Sequence, residues 1–199
     1  MFRRLFTLAV AAAVLAVLAE AALAVNVRVR VEGRTTTVFG PAEPTLSTAG
    51  VNVISALDAA SVRGEFYYHV TRFSFGLFVD QIGRYPGEGS NGWSFKVNGV
   101  SPQVGADQVT LRDRDVVLWY WNTFSSAGGS PTLLLRKRSR NCYTVLSQND
   151  AGLTSPATGA TLLVGSRRVS TRAGRACVGK HTGLVRAVKT GAVRSNALP

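Results

Sequence analysis

The sequence predicts a mainly β chain, α+β in its first part, with one helix and a small β-sandwich behind it. Three observations predict this. Runs of apolar/polar alternation recur from residue 25 onward, and that period belongs to half-buried strands. Only residues 51–60 space their apolar side chains as a helix does. Beyond residue 139, Gly- and Ser-containing turns separate short apolar runs at roughly ten-residue intervals, the spacing of a sandwich.

Residues 1–24 carry a basic start (Arg3, Arg4), an apolar run from Leu5 to Ala19, and the small-x-small site Ala22-Leu23-Ala24. This is the three-part pattern of a secretory signal peptide, with an uncleaved anchor as the alternative. The run is short for a membrane span, and Glu20 closes it. The expected mature chain starts near Val25, has no transmembrane segment, and is extracellular, secreted or loosely held at the cell surface.

Val25–Glu32 alternates, with four valines on one face and Asn26, Arg28, Arg30 and Glu32 on the other. Gly33 turns the chain into the β-branched arm Arg34–Phe39, and Gly40-Pro41 ends it. Val51, Ile54 and Leu57 then mark the helix, which runs to Ala60. Glu65–Phe75 and Leu77–Ile82 read as strands, and residues 84–92 as a turn-rich loop. Trp93–Val97 is a strand that ends at the hairpin signal Asn98-Gly99. After a short strand at Gln108–Leu111, Asp115–Trp121 is apolar on both faces, as in a central strand covered on both sides. Asn122–Pro131 is a loop and Leu133–Leu135 a strand.

The basic run Arg136–Arg140 is read as a boundary between a first domain, 25–138, and a second, 139–199. Short strands follow at Cys142–Leu146, Thr161–Val164, Arg168–Thr171, Ala176–Gly179 and Gly183–Val188. Cys142 and Cys177 are the only cysteines, and an even pair in an exported chain reads as one disulfide, with two buried thiols as the alternative.

The stretch Trp93-Ser-Phe-Lys-Val-Asn-Gly, then Val104-Gly105, then Leu111-Arg-Asp-Arg-Asp-Val-Val-Leu-Trp-Tyr-Trp121 resembles the C-terminal domain of transcobalamin and intrinsic factor. That family includes bacterial relatives of mostly unknown function. The resemblance covers about residues 25–137 and is specific in 93–121. It implies a β-grasp-like first domain that binds a small ligand. Arg114 stands where the family has Gly between two aspartates, so a turn needing positive φ would be strained here. The later motifs Tyr143-Thr-Val, Asp150-Ala-Gly, Pro156-Ala-Thr-Gly and Thr171-Arg-Ala-Gly resemble immunoglobulin-like or carboxypeptidase-regulatory-like sandwiches. The transcobalamin likeness does not extend to a cobalamin carrier, because the helical domain that covers the other side of that ligand has no counterpart. No cofactor is expected, and cobalamin or another tetrapyrrole is a lesser alternative.

The chain contains no nucleophile elbow, phosphate loop or credible dinucleotide fingerprint. Asp113 and Asp115 read as turn formers, and His69 as an isolated surface residue. No catalytic residue and no metal ligand is expected, so the chain is read as a non-enzyme. The candidate ligand-binding residues are Trp93, Phe95, Trp119, Tyr120 and Trp121. They form a platform if they share an open face, and core if they face the helix, which is the better reading. Residues 139–199 hold nine Lys+Arg against Asp150 alone, whereas 25–138 hold twelve against nine acids. With export, nucleic acid is not the expected partner of this charge. An anionic cell-wall or surface polymer is.

The expected function is therefore a secreted or cell-surface binding protein, with a ligand- or partner-binding module on a basic spacer. A purely structural or adhesion protein and an exported hydrolase are the alternatives.

Overall fold

In Asn26–Glu32 (β1) the alternation buries Val27, Val29 and Val31 completely. The structure, a computed structural model, describes residues 24–126 and 128–199, so the expected signal peptide lies outside it apart from Ala24. β1 pairs antiparallel with Thr37–Phe39 (β2) and Thr45–Ser47 (β3), and parallel with Val116–Thr123 (β8). β8 in turn pairs antiparallel with Asn91–Val97 (β7), giving the order β2-β1-β8-β7 with β3 also on β1. As its two apolar faces require, β8 is an inner strand, and Val117, Leu118, Trp119 and Tyr120 are all buried.

The helix, Val53–Gly64 (α1), begins two residues later than expected and runs four residues further. Asn52 sets its start: its Oδ1 accepts from Ser55 N at 2.9 Å while Ser55 Oγ accepts from Asn52 N at 3.1 Å, a reciprocal cap. Glu65 ends it in the left-handed region, at φ 52°. Gly64 is required by space instead, because a Cβ there would lie 2.6 Å from the Phe39 ring. Val53, Ala56, Leu57 and Ala60 pack on the sheet with the β1 valines, Trp93, Val117 and Trp119 in the first hydrophobic core.

Tyr68–Phe73 (β4), Gly76–Ile82 (β5) and Tyr85–Pro86 (β6) form a three-stranded sheet of their own. The expected β-grasp arrangement is therefore corrected. The outer edge of β5 is already occupied: Gly105 N donates to Phe75 O, Ala106 N to Leu77 O, and Leu77 N to Asp107 Oδ1. β5 cannot also extend the helix-bearing sheet.

The second expectation is corrected as well. Thr132–Ser139 (β9) pairs with Cys142–Gln148 (β10) through a turn in which Asn141 takes φ 60°. β10 also pairs with Thr154–Pro156 (β11) and, past Thr161–Val164 (β12) and Arg167–Ser170 (β13), with Arg175–Cys177 (β14). A second sheet has the order β13-β12-β15-β16, where β15 is Val185–Val188 and β16 is Ala197–Leu198. The disulfide Cys142–Cys177 joins directly paired strands of one sheet, with Cα atoms 3.9 Å apart. In an immunoglobulin domain the bridge crosses between sheets, so that arrangement is not present. The broader reading, a mainly β chain, holds, and α1 is the only helix among the described residues. A second core, including Leu133, Leu135, Tyr143, Val145, Leu162 and Val185, lies between these sheets.

Residues 193–199 run as a strap across both cores. Leu133 N donates to Val193 O, the Asn196 side chain bonds both N and O of Leu135, and Ala197 N donates to Pro41 O. Arg194 reaches Glu32 and Gly33 O.

Arg114 does occupy a positive-φ position, at 73°. The turn is held by Arg114 N on Asn26 O at 2.7 Å and by Asn26 N on Asp113 Oδ1 at 2.8 Å. A non-glycine residue pays for this conformation in Cβ crowding. Arg114→Gly is expected to raise stability by about 1 kcal/mol, read from the urea midpoint. An unchanged or lower midpoint would show that the turn carries no such strain.

Candidate functional site

The even residues of β7 face β8 through hydrogen bonds: Asn98 N donates to Val116 O at one end of the ladder, and Phe124 N to Ser90 O at the other. Antiparallel alternation therefore turns the backbone of Asn91, Trp93, Phe95 and Val97 toward the outer edge. Asn91 is satisfied there by Glu88, and Val97 by Val100. Trp93 and Phe95 have no backbone partner on that side among the described residues. The edge is open for two residues.

A cleft of about 310 Å³ lies along this opening. Because it wraps the edge of β7, residues from both faces line it: Trp93, Phe95 and Trp119 from one, Ser94 and Tyr120 from the other. Phe75, Val104 and Phe124 also line it, and each is 43–49% exposed. Phe73 stacks on Phe75 with ring centroids 5.3 Å apart and meets Phe78 edge-on at 6.0 Å. These rings extend the apolar wall onto the β4–β5 hairpin.

The polar lining is already ordered. Asn122 Nδ2 donates to Ser94 Oγ at 3.0 Å, and its Oδ1 accepts from Ser130 N at 2.7 Å. Asp150, from the second part of the chain, accepts from Ser101 Oγ at 3.2 Å and from Gly129 N at 2.9 Å. It lies 3.7 Å from the ammonium of Lys96, which is 1% exposed. Lys96 Nζ also donates to Asn149 O at 2.8 Å, Thr132 Oγ1 at 3.2 Å and Gln148 O at 3.3 Å. Burial pushes this ammonium down from its ordinary pKa, and Asp150 works against that. Burial pushes the Tyr120 phenol up, and the Asp150 carboxylate adds to it, while Ser101 and Ser94 pull it back. Trp119 Nε1 is the one buried side-chain polar atom without a hydrogen-bond partner among the described residues.

Of the five aromatic residues singled out in the sequence, four line this cleft. Trp93, Trp119 and Tyr120 are nevertheless almost fully buried, and Trp93 and Trp119 belong to the first core, so they form the floor of the cleft. Trp121 lies elsewhere, against Trp93 and Tyr85 and beside a smaller cavity with Arg34 and Arg194. Sequence reasoning missed Phe75, Val104, Phe124 and Asp150. The Phe73-Ser-Phe75-Gly76 run at a hairpin tip was the available signal, since exposed aromatics at a turn bury nothing locally.

Asp113 and Asp115 hold turn backbone: Asp115 accepts from Arg112 N at 2.8 Å and from Asn98 Nδ2 at 2.8 Å. His69 Nδ1 lies 2.7 Å from Asp80 Oδ1, away from the cleft lining and with a 67% exposed side chain. No group of three or more His, Cys, Asp or Glu suited to a metal occurs among the described residues. No described helix is long and apolar enough to cross a membrane.

The search of curated proteins returned no match. A solved structure from Ruminococcus gnavus ATCC 29149, whose description proposes that it binds metal, is similar at 16% identity and a TM-score of 0.39, covering 49% of this chain and 95% of its own. Residues 50–123, the helix through the inner strand β8, match the family described as "Domain of unknown function (DUF4430)".

Proposed function

We propose that this chain is an exported, non-enzymatic binding protein, and that the cleft along the edge of β7 takes a small, largely apolar ligand or the extended segment of a partner. The observation that carries this is the pairing of an aromatic wall with unused hydrogen-bonding groups. The backbone of Trp93 and Phe95 is open at the edge. Trp119, whose buried indole N–H has no partner among the described residues, lines the same cleft. Convergent polar groups in an apolar cleft are the usual form of a ligand site. The likeness of residues 93–121 to the transcobalamin C-terminal family favours binding over catalysis. Export rests on residues 1–24, and a division into two modules is part of the same proposal, supported by two separate hydrophobic cores, with the boundary moved from residue 138 to before β9, whose Leu133 and Leu135 lie in the second core. The basic second module serves as a spacer drawn to anionic surface polymer.

Trp93 and Trp119 make the test direct, since an occupant would lie against both. Residues 25–199 would be titrated with tetrapyrroles, corrinoids, sugars and quinones, following tryptophan fluorescence and melting temperature. At least one class is expected to quench fluorescence saturably and raise the melting temperature. Phe75→Ala and Phe124→Ala, on exposed rings, are expected to weaken binding about tenfold each, as the loss of a buried aromatic contact implies. If no compound binds, or binding ignores both substitutions, the structural or adhesion reading takes its place.

A further inference from the structure

A second cleft, of about 320 Å³, lies between the outer face of β1 and β8 and the β9–β10 hairpin. Its lining contains Arg28, Arg30, Lys96 and Arg136, with Glu43 as the single carboxylate. Glu43 is shared: its Oε1 accepts from Arg30 Nε at 3.2 Å, and its Oε2 lies 3.9 Å from Arg28 Nη1. Lys96 is fully engaged by the carbonyls and hydroxyl described above and by Asp150. Arg136 has no side-chain hydrogen bond or ion pair among the described residues.

Behind the cleft the charges continue without a break. Arg30 Nη1 donates to Glu32 Oε1 at 3.2 Å, and Glu32 is also paired by Arg186 and, at 3.0 Å, by Arg194. Arg28, Arg30, Arg186 and Arg194 thus share two carboxylates, Glu32 and Glu43, leaving two positive charges uncompensated, and Arg136 adds a third. The side chains of Arg30 and Glu32 are 4% and 0% exposed. Water therefore screens the inner part of this charge poorly, while Arg28, half exposed, and Arg136, exposed, face the open cleft, where an anion would relieve the excess. Burial pushes the Arg186 guanidinium down; Glu32 opposes that, but Arg30 and Arg194 reinforce it.

We propose that this cleft is an anion site for a phosphate group, with Arg28 and Arg136 as its direct ligands and the Arg30–Glu43 pair fixing its inner wall. Arg28 on β1 and Arg136 on β9 line opposite walls of the cleft, and guanidinium forks suit the several oxygens of a phosphate, which accept hydrogen bonds in bidentate pairs. The group has two sources, free phosphates and phosphodiester polymers of a cell surface. Since one wall is β1–β8 and the other β9–β10, an occupant bridges the two cores.

The test titrates residues 25–199 with pyrophosphate by calorimetry at fixed ionic strength, and separately measures retention on immobilised poly(glycerol phosphate). Arg28→Gln and Arg136→Gln are compared with Arg168→Gln, an exposed residue on β13 that removes the same charge. Saturable binding is expected in at least one arm, weakened about tenfold by each cleft substitution and left within twofold by Arg168→Gln. Pyrophosphate binding assigns free phosphates, and polymer retention alone assigns the phosphodiester source. Each variant's melting temperature without ligand checks its fold, and Arg136→Gln, which breaks no pair, suffices if Arg28→Gln is destabilised. Equal weakening by all three substitutions would mean diffuse attraction to the basic surface and would overturn the site. Absence of binding in both arms would overturn it too. Neither result touches the aromatic cleft, whose variants and ligands are different.

Discussion

Glu32→Ala is expected to lower the stability of the chain by about 3–5 kcal/mol, the usual cost of removing one partner from a buried charge network. The Glu32 side chain is fully buried and accepts from Arg30, Arg186, Arg194 and Thr37 Oγ1. Its removal leaves three guanidiniums facing one another, with Glu43 on Arg30 as their one remaining counter-charge, where water enters poorly. Urea unfolding followed by tryptophan fluorescence measures the effect. Replacing the carboxylate together with its partners, as Glu32→Met, Arg186→Met and Arg194→Met, is expected to recover much of the loss, because apolar substitutes need no compensation. A loss below about 1 kcal/mol for Glu32→Ala would place this network with solvent-screened surface pairs.

Cys142→Ala with Cys177→Ala is expected to cost about 3–4 kcal/mol, from the loop of 35 residues that the bridge closes. β14 has only three residues, and β10 is the one strand it pairs with among the described residues, apart from a backbone pairing of Arg175 with Arg172 in the preceding turn. Without the bridge its main attachment is that short ladder, so the loss should be accompanied by fast amide exchange in residues 175–177. The same shift is expected on reduction of the native chain. A double variant as stable as the parent would mean that β10–β14 pairing is sufficient without the covalent link.

Much of this fold was legible wherever the physics was local. The Val27, Val29, Val31 alternation, the two apolar faces of β8, the helix and the positive-φ position at Arg114 could all be read from neighbours a few residues away. The paired cysteines were legible because an even pair in a chain expected to be exported has few other uses. What could not be read depends on distant partners. Arg30 and Glu32 occupy the polar face of a strand and read as solvent-facing, yet Arg186 and Arg194, more than 150 residues away, cover them. The β5 edge looked free until Gly105–Asp107 folded back onto it. The hairpin through Asn141 carries the basic run into paired strands, a pairing hidden because a run of like charge on an exposed strand resembles a linker. The site was half legible: the aromatic floor was found as a group of residues, while the rim and Asp150 come from segments without a shared motif.

The strap of residues 193–199 has a consequence in time. Ribosomes deliver a chain from its N-terminus, so these residues arrive after both cores have all their strands but β16. Leu135 lacks its Asn196 partner and Glu32 lacks Arg194 until the strap is laid down. Docking is thereby the closing event of folding rather than its beginning. Until it happens, the two parts are held to each other by Lys96 and Ser101 on residues 148–150, and the buried carboxylate of Glu32 has one guanidinium fewer to answer it.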